Sequence, residues 1–600
     1  MTTTADQTGR LGRRRATTLP RAALPASFGQ ALVWLIVVVL VVGPFLPLLY
    51  ASVRSKPYYL PGGVFTLGAY QTLFADPLFW HAVQNTVWFA LTTTVLAVAG
   101  GVTFAILCGR TNMPGGRFYG PLLLAPVVIP PLGLIVGWVA IYGQSGYLTG
   151  LVGRNLHLPV WNLSSIPGMS VLGAAVALPI AYLTCRASLA GTDSALEDAA
   201  RSAGATPGQV IRRITLPMLR PAILNSTVLI FALSLEVLGI PLFLGTPTNI
   251  DFYASYLYKS WNSGATPDPP SVAAGAVLLL IAVSVLLLIR ARLAGSEQRF
   301  AATSSGAGAT RRPLDLGRWR WPLSAGTGAC VAIASIIPLA GLVVMSGVRA
   351  LTTLVAPWHL LTAANWHQVV SDVTFRRAMS NSLIIAGGGG ALTVLLVAVA
   401  TLVAHRSGFV LRRSLAPGLV YPRAVPGIVL GIGFFWAYLM FSPGAFVRNN
   451  LWGELIALCV RNLTLAYVVI YPSLMRISTE FDRAARASGA GWWTIARRIL
   501  LPALRPAMLA AFVLMFVTLL SDYDPVVFLQ KPGTEIAGVT MLQYWQRGVV
   551  GPVAALAVVQ VLIVAVVLAL GARSQERSTC LRSAWNTWPN RSGPSASLTM

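Results

Sequence analysis

Twelve stretches of this chain are long and apolar enough to cross a bilayer, and nothing else in it restricts the fold as much. A helix needs about 20 mostly apolar residues to cross the hydrocarbon layer. The expected spans are 31–50, 86–108, 120–142, 168–186, 225–245 and 272–290, then 324–346, 380–404, 415–441, 457–475, 507–522 and 550–571. Backbone in lipid must satisfy its own hydrogen bonds, so each span is read as a helix. Apolar residues make up 55% of the chain and charged ones 10%, which is too little charge to cover the core of a soluble protein of 600 residues. The same composition excludes intrinsic disorder. Four cysteines (Cys108, Cys185, Cys330, Cys459) lie in or beside apolar runs and Cys580 in a polar tail, so no disulfide scaffold is expected. The expected fold class is an all-α integral membrane protein with twelve transmembrane helices as two parallel six-helix repeats.

Charge sets the orientation. The net charge is +26, with 44 Lys and Arg against 18 Asp and Glu. The basic residues sit in short clusters between apolar runs, not in a polar stripe interleaved with aromatics, so no nucleic-acid partner is expected. With the N-terminus inside, 32 of the 44 fall in inside segments and 10 outside, and Arg423 and Arg461 fall within or at the edge of spans. That asymmetry puts both termini in the cytoplasm. The expected division is an N-terminal tail 1–30, a membrane unit 31–293, a cytoplasmic linker 294–321, a second unit 322–573 and a C-terminal tail 574–600, the last read as disordered.

The two units are copies of each other. Asn85-Thr86 at the second span recurs as Asn381-Ser382 at the eighth, 296 positions on, and Pro126, Pro130 and Gly137 recur as Pro422, Pro426 and Gly433 at the same offset. Glu197–Leu224 matches Asp482–Leu509 at an offset of 285, with 15 of 28 positions identical. The copies run in the same direction, because an even number of spans separates equivalent points.

That matched segment lies in a cytoplasmic loop. Ser194 with Glu197 makes a capping-box pattern, and Thr479 with Asp482 a weaker one. A short Ala-rich helix then runs to Gly204 or Gly489, where glycine permits a turn with positive φ. A second short helix carries Arg212/Arg213 or Arg497/Arg498, and Leu216-Pro217 or Leu501-Pro502 is expected to break it. Pro221 and Pro506 suit the first turn of the next span. An amphipathic linker would account for one such loop. The retention of two, while the outside loops diverged, points to a partner on that side.

At these residues the chain resembles the permeases of ATP-binding cassette importers, whose loop signature is E-A-A-x-x-x-G followed by I-x-L-P. The first copy has Asp198, Ala199, Ala200 and Gly204, then Ile214, Leu216 and Pro217. The second has Arg483, Ala484, Ala485 and Gly489, then Ile499, Leu501 and Pro502. Arg483 departs from the acidic position, with Asp482 next to it. The resemblance implies the type I importer permease fold and a bacterial inner-membrane location. It implies that each loop couples to one subunit of a cytoplasmic ATPase dimer, and that an extracytoplasmic binding protein delivers substrate. Two permease domains fused in one chain look most like the ferric-iron and thiamine importers. Ferric iron is the expected cargo, with thiamine, a polyamine or an aminophosphonate as alternatives.

The chain itself has no phosphate-binding loop: none of its three lysines closes a G-x-x-x-x-G-K-[ST] pattern, so ATP and any cofactor belong to a partner. Its five histidines are scattered with no metal-ligand spacing, and no nucleophile–base pair indicates catalysis. Ionisable residues inside spans are functional candidates, since charge is costly in hydrocarbon. Glu236 and Asp522 are the candidates for the cargo path. Against this, Glu236 could equally pair with a neighbouring helix, and Asp522 and Asp524 are read as lying at the outside interface. Arg423 and Arg461 are expected to snorkel. A twelve-span secondary transporter is the alternative class.

Overall fold

The computed structural model describes residues 24–586 except 58, 157–160, 192–194, 263–268, 296–312 and 442–443. The described residues are almost entirely helical and carry only three isolated β-bridges. Nine helices among them are long and apolar enough to cross a membrane, or eleven if each of two bent pairs counts as one span. The second and eighth spans are longer than their apolar runs, Pro77–Arg110 and Val373–Arg406, because Asp76 and Asp372 cap them by accepting the N–H of Leu78 and Thr374. The last helix runs on to Asn586, so the C-terminal tail starts as helix and not as disorder.

Three expected spans are interrupted. The third falls into Gly116–Leu122, Ala125–Val128 and Pro131–Tyr142. The ninth bends by 110° between Arg412–Ala424 and Gly427–Met440. The duplicated prolines are the cause. Pro130 and Pro426 have extended ψ of 130° and 136° and stand just ahead of the helices that follow. A proline disfavours helix in the residue before it and offers no N–H to the preceding turn. The fifth leaves helix at Glu236 and resumes as the π-turn Pro241–Gly245, and ahead of it the chain bends by 62° between Pro207–Met218 and Arg220–Leu235.

The halves exchange their first spans. Ser27–Ser52 reaches across to the second half, where Trp34 Nε1 donates to Ser414 Oγ at 2.8 Å and Phe45 meets Tyr421 edge-on, while its Phe45–Ser52 part also packs on Pro269–Gly295 of its own half. Gly317–Ser346 packs on the first half, where Trp138 Nε1 and Tyr142 Oη donate to the carbonyls of Ala334 and Ile333. This explains the duplicated glycine of the third and ninth spans. A Cβ on Gly137 would lie 2.2 Å from the Pro338 carbonyl oxygen, and one on Gly433 2.9 Å from that of Pro44. At both crossings only glycine lets the exchanged helix approach so closely.

Candidate functional site

The duplicated loops emerge on one face of the bundle. In the second copy, Glu480–Ala487 is a short helix that ends at Gly489 with φ +81°, and Ala490 N–H donates to Ala485 O to close the turn. In the first copy, Ala195–Ser202 ends at Gly204 with φ +85°, and Ala205 N–H donates to Ala200 O. Ser194 lies outside the described residues. Thr479 makes no capping hydrogen bond, contrary to expectation: its own backbone is helical (φ −69°, ψ −13°), and the Asp482 carboxylate that would complete the box is instead buried in an ion pair with Arg406.

The arginine pairs sit on π-turns, Ile211–Thr215 and Ala496–Leu500. The wide turn carries the helix across the following proline: Leu216 N–H bonds to Ile211 O, and Leu501 N–H to Ala496 O. Leu216-Pro217 and Leu501-Pro502 therefore do not break the helix. In the second copy it runs unbroken over Trp492–Ser521 with Pro506 inside it, whereas the first copy bends at Leu219. Nothing in the local sequences, MLRP against ALRP, explains that difference.

Ala199, Ala484, Gly204 and Gly489 are exposed, while Ala200, Ala485, Ile214, Ile499, Leu501, Pro217 and Pro502 are half-buried. Asp198 pairs on the surface with Arg201, three residues on, and Arg483 pairs at 2.9 Å with Glu480, three residues back. The substitution at 483 is thus accompanied by a relocated acid, and both loops still present an acid–arginine pair. Sequence reasoning missed Leu196 and Phe481, equivalent at the 285 offset, each 59% exposed on the first loop helix. It also missed that Glu197 and Asp482, one place before the motif's acidic position, are buried.

A second site lies inside the bundle. Arg461, tenth residue of the 24-residue span Trp452–Met475, does not snorkel: its side chain is 6% exposed and faces three carboxylates. Its guanidinium lies 3.1 Å from Asp522, 2.9 Å from Asp524 and 3.6 Å from Glu236. Asp522 follows the helix Leu501–Ser521, also accepts from Asn462 Nδ2 at 3.0 Å, and with Asp524 is held inside instead of lying free at the interface. Glu236 reaches across from the first half and accepts the N–H of Gly427 at 3.1 Å, at the start of the helix that follows the 110° bend. A carboxylate suits that position, because a helix N-terminus carries partial positive charge. Arg423 lies within electrostatic reach of all three acids. At the first-half positions equivalent to Asp522 and Arg461 stand Val237 and Val176, so the cluster is asymmetric where the loops are symmetric.

On the side away from the loops, a cavity of about 490 Å³ opens between the halves, lined by Gln144, Ser145, Ser164, Arg349, Phe243 and Trp545 among others. Phe243 and Trp545, one from each half, stack at 4.8 Å and join through Trp545 Nε1 to the Phe243 carbonyl. The helix Pro131–Tyr142 links the two regions. Leu132 and Ile135 approach Gly239, which abuts Tyr523 between the two aspartates, and Val136, Val139 and Ala140 line the cavity. Among the described residues, no three His, Cys, Asp or Glu side chains gather in metal-holding geometry.

The family described as binding-protein-dependent transport system inner membrane component matches the chain twice, over residues 101–295 and 396–578. The chain belongs to that family. It is a fused, two-domain permease of an ATP-binding cassette importer, a multi-pass transport subunit of the inner membrane, and the secondary-transporter alternative is set aside. The Fe(3+)-transport system permease FbpB 2 of Haemophilus influenzae is 25% identical over 503 residues, covering 83% of this permease and 89% of the relative. The putative ferric transport permease FbpB 1 of the same organism is 24% identical over 76% of this permease and 71% of its own length. The molybdenum transport permease ModB of Mycobacterium tuberculosis is 31% identical over 222 residues, which is 37% of this permease and 82% of the relative.

Proposed function

We propose that this permease carries ferric iron into the cytoplasm, with both termini and both duplicated loops on the cytoplasmic side. Each loop seats in one subunit of an ATPase dimer through the exposed Leu196 or Phe481 and the neighbouring acid–arginine pair. A binding protein on the opposite face delivers cargo to the cavity between the halves. The proposed domain division is 31–293 and 322–573, joined by 294–321.

The observation that carries the ferric assignment is the span of the alignments. Relatives named for ferric transport match across both fused halves, whereas the molybdenum relative matches a stretch no longer than one half. The cluster adds a chemical reason. Three acids, Glu236, Asp522 and Asp524, stand against two arginines, Arg461 and Arg423, a formal excess of one acid that favours a cationic cargo. Glu236 and Asp522 are the acids assigned to the path.

The test is to purify the partner binding protein and measure what it holds. Retention of Fe³⁺ supports the reading. Binding of thiamine, a polyamine or an aminophosphonate without Fe³⁺ would overturn the cargo assignment and leave the importer intact.

A further inference from the structure

Each half carries a buried ion pair that plays no part in the cargo path. Arg110, the last residue of the second span, lies 3.6 Å from Glu197, and both side chains are 5% exposed. Arg406, 296 positions later at the end of the eighth span, lies 3.0 Å from Asp482, with both side chains 6% exposed. Glu197 and Asp482 are themselves equivalent at the 285 offset and belong to the first helix of each loop. Each arginine also donates to a carbonyl near the end of the fourth span of its half, Leu189 O or Leu474 O, both at 3.1 Å and again equivalent. Thr215 Oγ1 donates to Glu197 at 3.0 Å, and Trp492 Nε1 donates to the Arg406 carbonyl at 2.9 Å. The loop helix, the second span and the fourth are tied at one point, as are their counterparts in the second half.

The second and eighth spans are tied again toward their other ends. Asn85 Nδ2 donates to Asp251 O at 3.0 Å, and Thr86 Oγ1 accepts the N–H of Tyr253 at 2.7 Å. In the second half Asn381 Nδ2 donates to Glu535 O and Ser382 Oγ accepts the N–H of Ala537, both at 2.9 Å. These carbonyls and amides belong to the segments that follow Glu236 and Asp522 and lead past the cavity. In the first half the helix between the two ties is continuous and about 36 Å long; in the second the span carries a π-turn, Ile385–Gly389, between Val373–Ile384 and Gly390–Arg406. Polar contacts therefore join one helical span to a duplicated loop and to the segment flanking the path, in both copies.

We infer that Arg110–Glu197 and Arg406–Asp482 are positioning pairs that make each duplicated loop and the second or eighth span move as one body, so that loop displacement reaches the segments beside the path. This rests on the importer reading above. Burial away from water makes each pair rigid, since separating the partners strands a charge. Exposed loop residues set the contact with the ATPase, and the buried pair sets what that contact moves.

The experiment uses the complete complex in liposomes, with its ATPase subunits inside and loaded binding protein outside, and measures cargo imported per ATP hydrolysed. Asp482→Asn and Glu197→Gln should lower that ratio by about tenfold while the ATPase subunits still co-purify and hydrolysis continues. Asp482→Glu should restore the ratio. A contact that merely held the fold together would lower import and hydrolysis in step, and an unchanged ratio in the charge-removing variants overturns the inference. Should those variants fail to accumulate, Ser382→Ala, toward the other end of the same span, decides it. A lowered ratio there supports transmission, and a wild-type ratio overturns it. Failure of the importer reading is distinguishable, because the wild-type complex would then show no ATP-dependent uptake.

Discussion

Alanine at Gly489 separates backbone conformation from side-chain contact. Gly489 sits at φ +81°, and a Cβ there meets nothing within 4 Å, so the substitution introduces no clash. Its cost is that of holding an L-residue in left-handed backbone, about 1–2 kcal/mol. That is a factor of roughly 5–30 in the population of the closed turn. The turn is closed by Gly489 N–H to Arg486 O and Ala490 N–H to Ala485 O, both at 3.0 Å, so unwinding swings the first loop helix away from the second. Gly491 is the internal control, two residues on, equally open, but at φ −69° and ψ 158°, where alanine is unstrained. The assay is ATP hydrolysis stimulated by loaded binding protein, normalised to permease in the membrane. Gly489→Ala should lose stimulation severalfold, Gly489→Val should abolish it, and Gly491→Ala should match wild type. Gly204 and Gly208 offer the same comparison in the first loop. Full stimulation in Gly489→Val, or equal damage from Gly491→Ala, would refute the argument that the turn itself is what the ATPase needs.

Arg461→Met leaves Glu236, Asp522 and Asp524 facing one another without their guanidinium, which should destabilise the detergent-solubilised protein by about 3–5 kcal/mol. A thermal unfolding midpoint equal to wild type would show that the cluster does not hold the halves together. Gly137→Ala should lower that midpoint more than Gly433→Ala, since the added methyl lies 2.2 Å from a carbonyl oxygen at the first and 2.9 Å at the second. Equal effects would mean that the exchanged helices yield freely. A native mass spectrum of the complex should show one copy of this chain with two ATPase subunits, and two copies would contradict the fused arrangement.

The architecture was legible because it is written in long apolar runs and in a duplication that survives at fixed offsets. The interruption of the third and ninth spans could have been read from Pro130 and Pro426, which served above only as landmarks of the duplication, although the size of the 110° bend could not. Arg461 was misread. Seen alone, an arginine in an apolar run is expected to reach for the interface, and only tertiary structure shows that Asp522, Asp524 and a glutamate from the other half converge on it. The buried loop pairs were within reach of sequence reasoning. Glu197 aligns with Asp482 and Arg110 with Arg406, and an acid and a base retained together across a duplication signal contact. The family motif drew attention one residue further, to Asp198 and Arg483, which lie on the surface.

Uptake into sealed proteoliposomes tests the central claim most directly. The chain is reconstituted with its ATPase subunits, ATP is enclosed, ferric-loaded binding protein is added outside, and radiolabelled iron is counted within. Iron should enter only when ATP and binding protein are both present, and should stop when hydrolysis is blocked. Iron entry driven by an ion gradient in vesicles that lack the ATPase subunits would contradict it.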